Sequence, residues 1–218
     1  RRRALRGAAR GCAGMTQPVV HLVDDDAAVR GALALLLRTV GMTVEEHADP
    51  AALLARLPAA APGCLVLDLR MPVMSGLQLQ ERLLAQGCDW PVILLTGHGG
   101  LEACRRAFKA GAVDFLTKPA DEQTLIEAVQ SAFARLDTAR ARDAERAEAR
   151  ALLARLTARE AEILHLVGLG HATKEIARAL DLSPRTVETH RANIAAKLGT
   201  ASVAEMARLV LLGGQAPP

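Results

Sequence analysis

No tyrosine occurs in the 218 residues, and the aromatic share of the chain is only 2%. Single-stranded nucleic acid is held by stacking its bases on aromatic rings, so that class of binder is excluded and the core has to be aliphatic. Half of the residues are apolar, enough for a proper core in one large domain or two small ones. Paired cysteines are missing as well: Cys12, Cys64, Cys88 and Cys104 form no CxxC pair and have no histidine at ligand spacing. They read as buried or incidental thiols in a reducing cytoplasm rather than as a metal site or a disulfide framework. Long apolar runs are also absent, since none approaches the ~18 residues that span a bilayer. No membrane partner is expected.

A strong charge of one sign disappears once the chain is divided. Residues 1–14 hold five arginines and no acid, residues 15–136 hold 10 basic and 14 acidic side chains, residues 137–156 five and four, and residues 157–218 seven and six. The overall net charge of +3 therefore speaks neither for nor against DNA. The Arg-rich opening lacks the apolar segment of a secretory signal. It reads either as a basic arm lying on phosphate or as a disordered tail ahead of a natural start at Met15, and the second reading is adopted.

What is present centres on Cys64-Leu65-Val66-Leu67-Asp68-Leu69-Arg70-Met71-Pro72. A short apolar run bounded by turn signals predicts a strand buried on both faces, and it delivers Asp68 at its carboxyl end. In an open α/β sheet that edge is where ligands bind. Three other runs behave alike. Residues 18–23 lead into Asp24-Asp25-Asp26, residues 91–95 into Thr96, and residues 112–116 into Thr117-Lys118-Pro119. Helical spacing follows each strand, over 27–40, 50–57, 77–85, 101–110 and 122–136, with a further short strand near 43–45. Five repeats of strand then helix predict a parallel five-stranded sheet covered on both faces.

Carboxylates of Asp24, Asp25 and Asp68 that converge at one edge repel one another, and like charges raise pKa unless a cation neutralises them. Mg²⁺ suits such a set, because it takes oxygen ligands, keeps several waters and reserves positions for phosphoryl oxygens. Asp25 and Asp68 are expected to ligate it directly and Asp24 through water. A carboxylate held there is a competent nucleophile towards phosphorus. The Lys118 ammonium and Thr96 hydroxyl can stabilise the charge that develops on the phosphoryl oxygens.

The motifs VDDD at 23–26, LDLRMP at 67–72, LTGHG at 95–99 and LTKP at 116–119 resemble the receiver domain of bacterial two-component response regulators. The resemblance covers 18 to about 136 and implies a flavodoxin-like (βα)5 fold. It further implies that Asp68 accepts a phosphoryl group from a sensor histidine kinase and that the Arg70 backbone carbonyl completes the Mg²⁺ ligands. Thr96 and Phe115 become the switch pair, the hydroxyl moving onto the phosphoryl group as the ring turns inward. Arg70 and His98 flank the path of attacking water. Val73, Gly100 and Ala120 depart from the common pattern, and none of them is expected to touch the phosphate.

Residues 137–150 carry no apolar residue but alanine, with opposite charges at i,i+3, which predicts a solvated connecting helix within a linker spanning 137–156. Thr157 and Glu160 then form a capping box. A short helix is expected to start there and run to Val167 before Gly168 and Gly170 end it, and another to cover 174–180. A third, capped by Ser183 with Pro184 in its first turn, runs to Leu198, and a fourth covers 202–212. Tight pairs of short helices of this kind either belong to an ordinary small bundle with a solvated face or place their second member in the major groove. At 100° per residue Val187, Ile194 and Leu198 fall on one stripe facing a core. Arg185, Glu188, Thr189, Ala192 and Asn193 fall opposite, able to reach base edges, while Lys174, Lys197 and His190 are placed to hold phosphates.

LTARE at 156–160, KEIA at 174–177 and SPRTVETHRANIAAKL at 183–198 resemble the LuxR-type DNA-binding domain. A receiver (15–136) joined by a helical linker (137–156) to an all-α helix-turn-helix domain (157–218) resembles the FixJ and NarL group of transcription regulators, most closely its FixJ side. The group implies a double-stranded DNA operator, homodimerisation on phosphorylation, RNA polymerase as a partner, a cytoplasmic location, and no enzymatic role beyond self-catalysed phosphotransfer and dephosphorylation. Two rivals stand beside this reading. One is a regulator of the same fold that ignores phosphate, and the other is an aspartyl-phosphate phosphohydrolase, which needs a second acid where the sequence offers Arg70.

Overall fold

Runs of Val, Leu and Ile bounded by turn residues form three of the five strands, and helices begin where the apolar spacing changes to three and four. The structure is a computed structural model and describes residues 18–97 and 101–214, with backbone alone at 101–103. The expected tail at 1–14, Met15, His98 and Gly100 lie outside the described residues. In chain order the elements are β1 (Val19–Val23), α1 (Ala27–Thr39), β2 (Thr43–His47), α2 (Pro50–Arg56), β3 (Gly63–Asp68), α3 (Gly76–Ala85), β4 (Val92–Thr96), α4 (Leu101–Lys109), β5 (Asp114–Thr117) and α5 (Glu122–Leu153). Then come α6 (Ala158–Gly168), α7 (Thr173–Ala179), α8 (Pro184–Leu198) and α9 (Val203–Gly213). The chain divides into two compact units between Asp137 and Thr138.

In the first unit the strands form one parallel sheet in the order β2-β1-β3-β4-β5. Val23 lies opposite Leu67, and Asp68 opposite Leu95, so the carboxyl ends of the three central strands share a rim. Alternation along each strand sends side chains to two cores. Val20, Leu22, Val66 and Ile93 pack with Leu37 of α1 and Leu125 and Val129 of α5. Val23, Leu65, Leu67 and Leu94 pack with Leu53 of α2, Leu79 and Leu83 of α3 and Ala107 of α4. The chain order switches direction between β1 and β3, which is where a doubly wound sheet opens a crevice.

Two expectations change. Strand β2 continues past residue 45 to His47, which pairs with Val23 of β1; Val44 is buried on one face of the sheet and His47 on the other, a pattern without the simple alternation that would have marked it. The helices expected over 122–136 and 137–150 are one continuous helix, α5. No glycine or proline interrupts it, and extending an existing helix through alanines costs far less than ending and renucleating one.

The second unit has its own core, in which Leu153 joins Ile163, Leu164, Val167, Ile176, Val187, Ile194, Leu198 and Met206. Val187, Ile194 and Leu198 are the stripe read from the sequence. The capping box at Thr157 is formed, with its side chain accepting from the Glu160 amide and Glu160 accepting from the Thr157 amide. Gly199 closes α8 in the left-handed region at φ 72°, which glycine adopts without steric cost. Among the described residues no helix is long and apolar enough to cross a membrane.

Candidate functional site

Each acid of the first unit has a distinct local role. Asp26 caps α1, accepting from the amides of Ala28 and Val29 at 2.8 and 3.2 Å, and so is not a pocket ligand. Asp24 and Asp68 are buried and Asp25 is exposed, yet one carboxylate oxygen from each lies within 4.8 Å of the others. Lys118, 94 residues from Asp24 in sequence, reaches back to the same point: its Nζ is 2.6 Å from Asp24 Oδ2 and 2.9 Å from Asp68 Oδ1. Thr96 ends β4 fully buried, and its carbonyl accepts from the Lys118 amide at 2.6 Å. The Lys118–Pro119 peptide is cis.

The electrostatics follow from burial. Desolvation lifts the Asp68 carboxyl above its ordinary pKa; Lys118 opposes the rise through a hydrogen bond and its charge, and Asp24 and Asp25 add to it. Desolvation pulls the Lys118 ammonium down, but its hydrogen bonds to Asp24 and Asp68 outweigh that and leave its pKa raised. Three carboxylates face one ammonium, an excess of negative charge that a divalent cation with oxygen ligands neutralises. The donor set therefore fits Mg²⁺.

Of the remaining sequence-read residues, Arg70 is exposed in the loop after β3, and Phe115 is half-buried against the α3 side of the sheet, paired with Leu94. Two contributors were not legible. Arg30, on α1, donates from Nη1 to the Asp24 carbonyl at 2.7 Å, and the His47 carbonyl accepts from the Asp24 amide at 3.3 Å. Both position Asp24 from neighbouring elements, and neither belongs to a short motif.

In the second unit Arg185, Glu188, Thr189, Ala192 and Asn193 are exposed on the face of α8 opposite its core stripe, and Lys174 is exposed on α7. Thr189 bonds its own helix, its hydroxyl donating to the Arg185 carbonyl at 3.0 Å. His190 is half-buried, with a buried Nδ1 that has no hydrogen-bond partner among the described residues. Lys197 is partly buried, and its ammonium lies 2.6 Å from Oε2 of Glu160, a residue only 4% exposed.

That ion pair has a measurable consequence. The Lys197 hydrogen bond, with the Thr157 amide next, holds the Glu160 carboxyl down at about 2 against an ordinary 4.5. A depressed carboxyl stabilises the fold fully above 4.5 and loses that contribution as pH falls towards 2. Lys197→Met strands a buried carboxylate and is expected to lower the stability of the second unit by about 2 kcal/mol at pH 7. It should also flatten the loss of stability between pH 4.5 and 2. Urea unfolding of both proteins at several pH values checks this, and equal midpoints at pH 7 would refute it.

Comparison with known proteins supplies the wider context. Residues 20–130 match the response regulator receiver domain family, and residues 154–210 match the luxR family of bacterial regulatory proteins. The chain is 43% identical over 203 residues to the transcriptional regulatory protein FixJ of Rhizobium meliloti, covering 93% of this chain and all of that protein. It is 42% identical over 198 residues to FixJ of Azorhizobium caulinodans, covering 91% and 94%. The solved structure of the response regulator StyR superposes with a TM-score of 0.79 at 39% identity, covering 90% of this chain and 99% of that one. A rim of acids answered by a distant lysine, on a sheet of this order and followed by a luxR-family helical unit, thus has full-length counterparts: the chain belongs to the FixJ-like response regulators, phosphorylation-dependent transcription regulators built from a receiver and a LuxR-type DNA-binding domain.

Proposed function

We propose that Asp68 is the phosphoacceptor, that Asp25 and Asp68 hold Mg²⁺ directly with the Arg70 carbonyl, and that Asp24 does so through water. The observation that carries this reading is Lys118 Nζ within 2.9 Å of carboxylates from two separate strand ends. Bound Mg²⁺ supplies charge neutralisation and oxygen coordination for a phosphoryl group. An Asp68 oxygen attacks phosphorus as the P–N bond of a sensor kinase's phosphohistidine breaks, and the departing imidazole takes its proton from solvent. Lys118 keeps its bond to Asp24 while its contact to Asp68 passes to the phosphoryl oxygens. The Thr96 hydroxyl follows, and Phe115 turns inward behind it.

Phosphorylation then favours a homodimer of the receiver (15–136), and the DNA-binding domain (157–218), joined through 137–156, engages a double-stranded operator in the cytoplasm beside RNA polymerase. Arg185, Glu188, Thr189, Ala192 and Asn193 face the bases and Lys174, His190 and Lys197 the phosphates, Lys197 while also paired with Glu160. The test is acetyl phosphate with Mg²⁺ on the full chain, read by intact mass and by oligomeric state. A gain of one phosphoryl group with a shift to dimer is expected. An unchanged mass, or turnover of a generic phosphomonoester, overturns the reading.

A further inference from the structure

A second cluster of ligating side chains lies on the α2 side of the sheet, apart from the acidic rim. Register places His21 of β1 opposite Glu45 of β2, and two-residue alternation puts His47 on the same face. One ligating atom from each of the three lies within 4.8 Å of the others. His21 is fully buried and His47 is 2% exposed. We propose that His21 Nδ1, His47 Nε2 and a Glu45 carboxylate oxygen form a site for a divalent transition ion of the Zn²⁺ class.

Three features support it. First, the spacing fits: His21 Nδ1 and His47 Nε2 are 3.4 Å apart, and two nitrogens each about 2.05 Å from a tetrahedral zinc ion stand about 3.3 Å apart. Second, the tautomer is fixed. A carbonyl can only accept, so His21 Nε2–H donates to Ala61 at 2.9 Å and Nδ1 carries the lone pair, the arrangement by which an outer-shell carbonyl orients a metal-bound imidazole. Desolvation holds both imidazoles below their ordinary pKa, with His21 adding to the shift at His47, so they are neutral ligands at pH 7. Third, Glu45 Oε2 is buried with no hydrogen-bond partner among the described residues and lies 3.7 Å from His21 Nδ1. Buried carboxylate oxygens are ordinarily satisfied, and this one stands between the histidine pair and the Arg56 guanidinium, 3.7 Å from each of His21 Nδ1 and Arg56 Nε.

Two nitrogens and one oxygen select a borderline ion over Mg²⁺, so the first unit carries a hard site at its rim and a softer one below β2. Without metal, His47 donates Nε2–H to His21 Nδ1. On binding, the ion takes that position and the proton moves to His47 Nδ1. The Arg56 guanidinium, 3.7 Å from Glu45 Oε2 and largely exposed, can swing away, which leaves the fourth coordination position to water. Because the His47 carbonyl holds the Asp24 amide, the ion would also brace the β2 end against the acidic rim.

Trp90 is the only tryptophan, and its ring stacks on His21 with centroids 4.9 Å apart, which makes it a built-in reporter. Zn²⁺ titrated into the metal-stripped full chain is expected to change Trp90 emission at one ion per chain, and a large excess of Mg²⁺ should not reverse the change. Co²⁺ in its place should give the visible absorption of a four-coordinate ion. Glu45→Gln, at a partly exposed side chain, and His47→Gln should each weaken binding at least tenfold, since losing even an outer-shell partner costs that much. Bound zinc that leaves Trp90 silent, displacement by Mg²⁺, or wild-type affinity in both variants would overturn the proposal.

Discussion

Asp68→Asn is expected to abolish phosphodonor-stimulated binding to operator DNA while leaving unstimulated binding in place. The amide keeps the shape of the side chain and removes the nucleophile. Converting a population from 1:99 to 99:1 in favour of the active state takes roughly 5 kcal/mol of differential stabilisation, and without the phosphoryl group no residue at the rim supplies it. Unfolding would not be the cause of the loss. Folding raises the Asp68 pKa, so the native environment already disfavours the charged carboxylate, and a neutral isostere relieves that penalty while Lys118 retains Asp24 at 2.6 Å. A duplex selected from random DNA by the phosphodonor-treated wild type provides the ligand. Its affinity for each protein, with and without acetyl phosphate and Mg²⁺, is the measurement. Equal stimulation in Asp68→Asn would show that Asp68 is not the acceptor, and no stimulation of either protein would establish the phosphate-independent rival.

How far the sequence could be read depended on the range over which each signal acts. Asp24, Asp68, Thr96 and Lys118 were legible because each ends a buried strand, and parallel strands bring such ends together whatever the sequence distance. The core stripe of α8 was legible for the same reason, since helical period alone assigns its faces. Contacts that depend on tertiary placement were not legible. The Lys197–Glu160 pair joins residues 37 apart, and nothing in a helix period shows that a lysine on α8 also reaches a carboxylate on a neighbouring helix. His21, His47 and Glu45 escaped similarly. Their spacing follows no metal-ligand motif, and only the β1–β2 register unites them.

The first residue of α3 provides the second large effect, and there local propensity and tertiary contact predict opposite signs. Replacing glycine by alanine in a helix ordinarily stabilises by about 0.4–1 kcal/mol. Gly31, exposed within α1 with open space around it, should show that gain as Gly31→Ala. At Gly76 a Cβ would lie 2.4 Å from the Asp68 carbonyl oxygen and 3.1 Å from Leu94 Cδ2. The oxygen belongs to backbone rather than to a flexible side chain, so the loop between β3 and α3 must move. Overpacking of this kind costs about 1–3 kcal/mol, which outweighs the propensity gain. The displaced atom belongs to the proposed phosphoacceptor itself, and because positional errors of about 1 Å can cost 100-fold in rate, the shift of roughly half an ångström that a 2.4 Å contact demands should slow phosphorylation about tenfold. Thermal unfolding of Gly31→Ala and Gly76→Ala, beside a time course of intact mass with acetyl phosphate, separates the two influences. If Gly76→Ala matched Gly31→Ala in stability and the wild type in rate, the loop would be soft enough to yield, and α3 would not fix the position of Asp68.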